Sequence, residues 1–243
     1  MAANYTVQDK SLGERSRELV FAGDGVRLSG QIDYPDAPLP SDGYPLLFIL
    51  HHAGCEGRAW YLPFAQAGLN AGYAVFRWDK RGTGRSGAGG CGSTTQDAVN
   101  AYEIALEQPS INQQRAVILA QAAGTGLLGN AFGLFARLQK PYGVILASNI
   151  LDETAVQAID SRIQIVVGEH DWNPWQRYAE AACDAHNQTY GRGASFHIVP
   201  NADRKLLVNT DSSTIHPQAL AFIYDWLKQL CPASTSVSTI RQR

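Results

Sequence analysis

The chain has 243 residues and a formal net charge of −2 at neutral pH. It is long enough to bury a sizeable core as one domain, and its charge gives no reason to expect nucleic acid or an acidic membrane as a partner. No apolar run could cross a bilayer, and the segment 1–15 lacks the pattern of a secretory signal, so a cytoplasmic location is predicted. The four cysteines are widely spaced without a C-x-x-C pair and are interpreted as reduced thiols.

The first predicted element is a hairpin near the N-terminus. Short apolar stretches at Glu18–Phe21 and Arg27–Asp33 flank an Asp-Gly turn, which is typical of two antiparallel strands. Residues 1–17 are interpreted as an N-terminal extension that precedes a domain spanning residues 18–231. The polar segment 232–243 is expected to be a disordered tail.

Beyond the hairpin, strand-like apolar runs alternate with helical segments. Thr95–Leu106 and Pro217–Leu230 show the helical segments most clearly. The alternation predicts an α/β fold, in which a mostly parallel sheet has helices on both faces and the hairpin as its antiparallel edge. The predicted parallel strands are the runs at residues 46–50, 73–77, 116–120, 143–147, 163–167 and 195–199.

An alanine occupies the centre of the most informative motif. Leu119–Gly126 follows an apolar run and precedes a helical segment, which is the context in which the pattern G-x-S-x-G presents a nucleophilic serine. Ala122 stands at the place of that serine. A methyl group has neither a lone pair nor a transferable proton, so no neighbouring base could activate it for attack on a carbonyl.

Four segments resemble landmarks of the α/β-hydrolase superfamily, and they occur in the family's order from about Glu18 to Leu230. They are similar to the oxyanion loop, the turn Asp-x-Arg-Gly-x-Gly-x-Ser, the nucleophile elbow and the strand that leads to the triad acid. The resemblance is closest to small lidless esterases and dienelactone-hydrolase-like proteins, and it implies a serine-hydrolase ancestry with ester hydrolysis as the parent activity. The four segments are residues 45–54, 72–86, 119–126 and 163–171.

The resemblance assigns triad roles, two of which this chain does not fill. Asp171 stands at the position of the acid, and Arg204 stands at the position of the histidine. A guanidinium is always protonated and has no acceptor, so Arg204 cannot take a proton from a hydroxyl. His216, at the start of the last helix, is an alternative base, although a capping role is the simpler interpretation.

The family also implies a substrate crevice. Backbone N–H groups of Ala123 and of the loop Ala53-Gly54-Cys55 are expected to form an oxyanion hole. His51 and His52 are expected to shape that loop. Two aromatic residues that follow this loop, and two beside the loop after the acid, would either line the pocket or close the core of a lidless fold. These residues are Trp60, Tyr61, Trp172 and Trp175.

Three further features bear on ligands. The Gly-rich turn Asp79–Ser86 could cradle a phosphate, but a structural turn is the stronger interpretation. His186 is expected to be solvated, and no histidine pair has metal-ligand spacing, so neither a metal nor another cofactor is predicted. About fifteen residues separate the runs 143–147 and 163–167, too few for a lid domain, so a small-molecule ligand or substrate is expected at an open site. A homo-oligomer, in which a neighbouring subunit supplies the missing wall, is left open.

Three hypotheses about function follow. The chain is an esterase in which Ala122 replaces the serine of the natural protein, or a natural non-hydrolytic enzyme such as a lyase, isomerase or cyclase, or a binding protein on a hydrolase scaffold. The codon at position 122 of the source gene would test the first hypothesis. In all three, the chain is expected to be inactive as a serine esterase.

Overall fold

A computed structural model describes residues 15–171, 173–191, 193–208 and 211–231. The strands are β1 (Ser16–Ala22), β2 (Arg27–Asp33), β3 (Tyr44–Leu50), β4 (Ala74–Asp79), β5 (Ile111–Gln121), β6 (Gly143–Ala147), β7 (Arg162–Gly168), β8 (Ala194–Val199), β9 (Leu207–Val208) and β10 (Asp211–Ile215). The helices are α1 (Leu62–Asn70), α2 (Thr94–Leu106), α3 (Ala123–Gln139), α4 (Glu153–Gln157), α5 (Asn173–Thr189) and α6 (Pro217–Leu230), and a 3₁₀ turn, Arg58–Tyr61, precedes α1.

Eight strands form one sheet in the order β1-β2-β4-β3-β5-β6-β7-β8. β2 pairs antiparallel with both of its neighbours, and the strands from β4 to β8 pair in parallel. The predicted α/β fold with an N-terminal hairpin at the edge of the sheet is therefore confirmed. β1 begins at Ser16, so the last two residues of the predicted extension 1–17 belong to the sheet, whereas the predicted tail 232–243 lies outside the described residues.

The sheet separates two hydrophobic cores. Alternate residues of β3 point to opposite faces, as the pleat requires: Phe48 packs in the core beneath α2, α3 and α5, and Ile49 packs in the core beneath α1 and α6. Both residues are fully buried. Because the central strands are covered on both faces, they are apolar throughout, which is why short uninterrupted apolar runs identified them.

Only a short segment joins β6 to β7. It contains the five-residue helix α4 and no domain that could cover the end of the sheet, as expected. In the described part of the chain, no helix is both long and apolar enough to cross a membrane. One local expectation is wrong: His186 is fully buried, with Nε2 at 3.0 Å from the carbonyl oxygen of Ile159, because α5 turns this side chain toward the segment after α4.

Candidate functional site

The turn between β5 and α3 has strained backbone geometry. Ala122 has φ 47° and ψ −112°, a combination that non-glycine residues rarely adopt. Its N–H donates to the carbonyl of Ala147 at 2.9 Å, which anchors the turn to β6. The sequence-based prediction of a tight turn at Ala122, between a central strand and a helix, is confirmed.

The first turn of α3 packs directly on the end of β3. A Cβ atom at Gly124 would lie 2.7 Å from the carbonyl oxygen of His51 and 2.9 Å from that of Leu50, so only glycine allows this approach. The hydroxyl of Thr125 donates to the carbonyl of Ala122 at 2.7 Å. The turn is therefore fixed by the close packing of Gly124 on β3 and by the side-chain hydrogen bond of Thr125.

The loop after β3 is held in place by side chains from three directions. The N–H of His52 donates to the hydroxyl of Tyr61 at 2.8 Å, and the N–H of Gly54 donates to Nδ1 of His52 at 2.7 Å. The ammonium of Lys80 donates to the carbonyls of His52 and Gly54. His52 therefore shapes this loop, as expected.

Two backbone donors near the turn remain available. Within the described residues, the N–H groups of Ala53 and Ala123 donate to no acceptor, which is the arrangement that an oxyanion hole requires. Gly54 differs from the expectation, because its N–H is already bonded to His52. The loop therefore offers fewer free N–H donors to a ligand than the sequence analysis predicted.

Positive charge surrounds this loop. Burial, together with the charges of Lys80, His52 and Arg77, lowers the pKa of His51 well below its usual value. Burial also lowers the pKa of His52, and Lys80 and Lys205 lower it further, while Glu56 opposes the shift. Both imidazoles are consequently neutral near pH 7, so the cationic groups near the loop are lysines and arginines.

Asp171 and Arg204 meet after β7 and β8. Nε of Arg204 lies 3.9 Å from Oδ1 of Asp171; the Arg204 side chain is 54% exposed, whereas the Asp171 side chain is fully buried. The loop after β7 is fixed to the loop after β8, since the N–H of His170 donates to the carbonyl of Ala202 at 2.9 Å. A Cβ at Gly168 would lie 2.1 Å from the carbonyl oxygen of Asp203. The position assigned to the triad histidine thus lies beside the position assigned to the acid.

Solved structures share this architecture. An Agrobacterium tumefaciens protein of unknown function, described as an α/β hydrolase, is 18% identical with a TM-score of 0.68, over 88% of this chain and 96% of that one. An esterase from Pyrococcus furiosus is 14% identical with a TM-score of 0.64, over 88% and 92%. The esterase domain of a Rhodothermus marinus protein is 16% identical with a TM-score of 0.62, over 88% and 97%. The chain has the α/β-hydrolase fold. No protein-family model matches its sequence, and no curated protein matches it.

On this hydrolase fold, His216 has a structural role. It is the N-cap of α6, where Nδ1 accepts the N–H of Gln218 at 3.2 Å, and Pro217 follows at the first helical position. Its own N–H donates to the carbonyl of Leu206 at 2.7 Å. A role for His216 as an alternative base stays a prediction.

The aromatic residues predicted near the site differ in burial and packing. Tyr61 is 1% exposed and stacks on His51 at 4.6 Å, so it supports the hydrolase-fold core beneath the loop and does not line an open crevice. Trp60 is partly exposed and packs edge-on against His52 at 6.1 Å. Trp172 lies outside the described residues, and for Trp175 only the backbone, within α5, is described.

The Gly-rich turn after β4 is structural. The carboxylate of Asp79 accepts the N–H groups of Arg58 at 2.7 Å and of Arg85 at 3.0 Å, and Arg81 pairs with Asp97. The carboxylate of Asp79 occupies these backbone donors, which favours the structural interpretation of the turn over a phosphate cradle. What the sequence reasoning missed is Lys80, whose contacts with the loop after β3 only the tertiary structure reveals.

Proposed function

We propose that this protein is a hydrolase-fold binding protein of serine-hydrolase ancestry, which holds a small carboxylate and does not cleave an ester. The observation that carries the proposal is the guanidinium of Arg204, which stands at the position of the histidine and is 54% exposed although its Nε lies 3.9 Å from Oδ1 of Asp171. A guanidinium there replaces the proton acceptor of a hydrolase with a permanent positive charge. Ester hydrolysis needs that acceptor, whereas anion binding benefits from the charge.

The absence of a nucleophile supports the same proposal. Ala122 occupies the strained turn at which a serine hydroxyl would attack, and its methyl group cannot form an acyl intermediate. The carbonyl carbon of a substrate would find no nucleophilic atom at this position with which to form a tetrahedral intermediate. The chain is therefore expected to be inactive as a serine esterase.

The groups that remain are suited to a carboxylate. The N–H groups of Ala53 and Ala123 are without an acceptor in the described chain, and the exposed guanidinium of Arg204 offers a planar pair of donors. Burial is the main cause of the lowered pKa of His52, and the positive charges of Lys80 and Lys205 act in the same direction, against Glu56. The short connection between β6 and β7 provides no lid domain, which favours a small ligand over a long acyl chain.

A second candidate is a lyase, isomerase or cyclase at the same crevice. It is favoured by the pair formed by His52 and Glu56, whose Nε2 and Oε2 atoms lie 3.4 Å apart. A neutral imidazole next to a carboxylate is a group that can transfer a proton, and the free N–H donors could polarise a carbonyl. The free cysteines support a cytoplasmic location in either case.

The binding proposal is tested by thermal unfolding in the presence of short carboxylates and of the matching amides. We expect the carboxylates alone to raise Tm, with the rise lost in Arg204→Gln, which keeps a polar side chain without the charge. Arg137→Gln, an exposed arginine of α3, is the matched control and should keep the full response. Equal stabilisation by the amides, or an unchanged response in Arg204→Gln, would refute carboxylate binding at Arg204.

The ancestry is tested by restoring the missing groups. The double variant Ala122→Ser/Arg204→His should hydrolyse short activated esters, while each single variant should stay at background. If Ala122→Ser alone is active and loses that activity with His216→Ala, His216 is the base, and Arg204 is not the obstacle to catalysis. A correctly folded but inactive double variant would contradict the assignment of the triad positions.

A further inference from the structure

β8 is the last strand of the sheet and is paired on one side only. Its neighbour is β7, and none of the strands in the described chain lies on its other side. The carbonyl of Gly193 accepts the N–H of Ile163, and the carbonyl of Val199 accepts the N–H of Glu169. The odd-numbered residues of β8 therefore direct their N–H and C=O groups toward β7. The even-numbered residues direct theirs away from the sheet.

Two of the three outward-facing residues have free backbone groups. Ala194 is already satisfied, because its N–H donates to Oδ1 of Asn187 and its carbonyl accepts Nδ2 of the same side chain. The N–H and C=O groups of Phe196 and Ile198 bond to nothing within the residues that the structure describes. Ile198 is also 42% exposed. The middle of this edge can therefore pair with another strand.

β8 lacks the features that usually keep an edge strand from pairing. Such edges are normally blunted by charged side chains, by proline or by a bulge. β8 reads Ala-Ser-Phe-His-Ile-Val, without a charged residue or a proline, and its register with β7 is regular. The opposite edge differs, since β1 carries Arg17 and Glu18, and Glu18 forms ion pairs with Arg58 and Arg85. β8 is therefore the edge that is suited to pairing.

The free segment of β8 is complementary to itself. In an antiparallel pairing centred on His197, Phe196 stands opposite Ile198 of the partner subunit, and the converse pair forms on the other side of the centre. Pairs of an aromatic and a β-branched residue are favourable across strands. His197 would meet its own copy at the centre, where it stacks on Phe222 at 4.5 Å. Burial lowers the pKa of His197, so the two imidazoles would be uncharged near pH 7.

The ends of the described chain favour a second copy over a segment of the same chain as the occupant of this edge. The description begins next to β1, which lies seven strand spacings from β8, or about 34 Å. At the other end, Leu230 packs against Gly143 at the start of β6, whereas Ile198 lies near the carboxyl end of β8. A terminal segment folded onto β8 would leave the protein monomeric, so the oligomeric state distinguishes the two occupants.

We infer that β8 pairs antiparallel with the same strand of a second copy of this chain, about a twofold axis at His197. The free N–H and C=O groups of Phe196 and Ile198 then form four hydrogen bonds across the axis. Two eight-stranded sheets become one continuous sheet. Because the paired strands run in opposite directions, the carboxyl ends of the two sheets face opposite ways. The partner therefore supplies no wall to the crevice, and the inference does not rest on the proposed function.

Sedimentation velocity over a wide range of protein concentration tests the dimer. We expect a reversible equilibrium between monomer and dimer. Ile198→Lys introduces a charge on each side of the axis and should leave only monomer. Val20→Lys is the matched control, because Val20 is 63% exposed on the other edge strand, β1, and it should dimerise as the unmodified chain does.

Two variants of one residue isolate the backbone hydrogen bonds. Ile198→Pro removes the outward N–H and leaves the bonds between β7 and β8 intact, which an edge strand tolerates. Ile198→Ala loses most of the same side chain but keeps the N–H. Two hydrogen bonds per dimer are lost in the proline variant alone, so its dissociation constant should exceed that of the alanine variant by about tenfold or more. Equal dissociation constants would overturn pairing through the backbone. Should Ile198→Pro fail to fold, Ile198→Lys and its control decide.

Disulfide formation tests the position of the axis. Directly opposed residues without mutual hydrogen bonds have Cα atoms about 4.5 Å apart, which a disulfide can bridge. His197→Cys should therefore give a covalent dimer under mild oxidation, and Val20→Cys should not. Both are made with Cys55→Ser and Cys91→Ser, which remove the exposed thiols. An unmodified chain that is monomeric at every concentration, a dimer that persists in Ile198→Lys, or no covalent dimer in His197→Cys would each overturn the inference.

Discussion

Ala122→Gly is expected to stabilise the protein, although glycine usually weakens a folded chain. Ala122 lies at φ 47° and ψ −112°, where a Cβ atom meets the neighbouring backbone and glycine does not. The side chain is only partly buried, so little apolar contact is lost with the methyl group. The substitution therefore removes strain without opening a cavity.

The magnitude follows from two opposing terms. Strain of this type amounts to about 1–3 kcal/mol, and glycine loses about 0.5–1 kcal/mol more conformational entropy than alanine on folding. The expected net increase in the free energy of unfolding is about 1 kcal/mol, within a range of about 0–2.5 kcal/mol, and each kcal/mol raises Tm by about 2–4 °C in a chain of this size.

Urea denaturation provides the measurement, and Ala136→Gly provides the control. Ala136 lies in the interior of α3, so the same substitution there should lower the free energy of unfolding by about 1 kcal/mol. The two changes should therefore have opposite signs. A loss of stability in Ala122→Gly similar to that in Ala136→Gly would refute the claim that the turn stores strain.

Two other glycines give predictions with matched controls. Gly84→Ala should destabilise by about 2–4 kcal/mol in thermal unfolding, because its Cβ would lie 2.3 Å from Cγ of Asp79; Gly82→Ala, also at positive φ but with nothing within 4 Å, should cost only about 1 kcal/mol. Gly124→Ala should likewise destabilise by about 2–4 kcal/mol, since its Cβ would collide with carbonyls of β3. Gly133→Ala in the same helix meets no atom within 4 Å and should stabilise by about 0.5–1 kcal/mol; equal effects within either pair would contradict the close contacts.

Much of the fold was predictable because its signals are local. The runs 116–120 and 143–147 lie within β5 and β6, and Pro217–Leu230 matches α6, since Pro217 and its N-cap mark the start of the helix. A strand buried on both faces carries its identity in a few consecutive apolar residues. The position of the strained turn was predictable for the same reason, because strand, turn and helix are consecutive in the chain.

The contacts that organise the site were less predictable. Lys80 contacts the loop after β3 although 26 or more residues separate them, and no local pattern indicates such a contact. Tyr61 was expected to line the crevice or close the core, and burial beneath His51 decides between these. The prediction that His186 is solvated was wrong, because a polar helical sequence does not reveal which face of the helix packs inward.

The strained turn at position 122 does not depend on the side chain that it presents. The N–H of Ala122 is held by Ala147, its carbonyl accepts the hydroxyl of Thr125, and Gly124 fixes the helix against β3. None of these contacts involves the methyl group, so a hydroxyl there would find the turn and the free N–H donors already in place. Under the proposed ancestry, the loss of hydrolytic chemistry is confined to two side chains, at positions 122 and 204. That is why the double variant Ala122→Ser/Arg204→His is expected to regain ester hydrolysis when neither single change does.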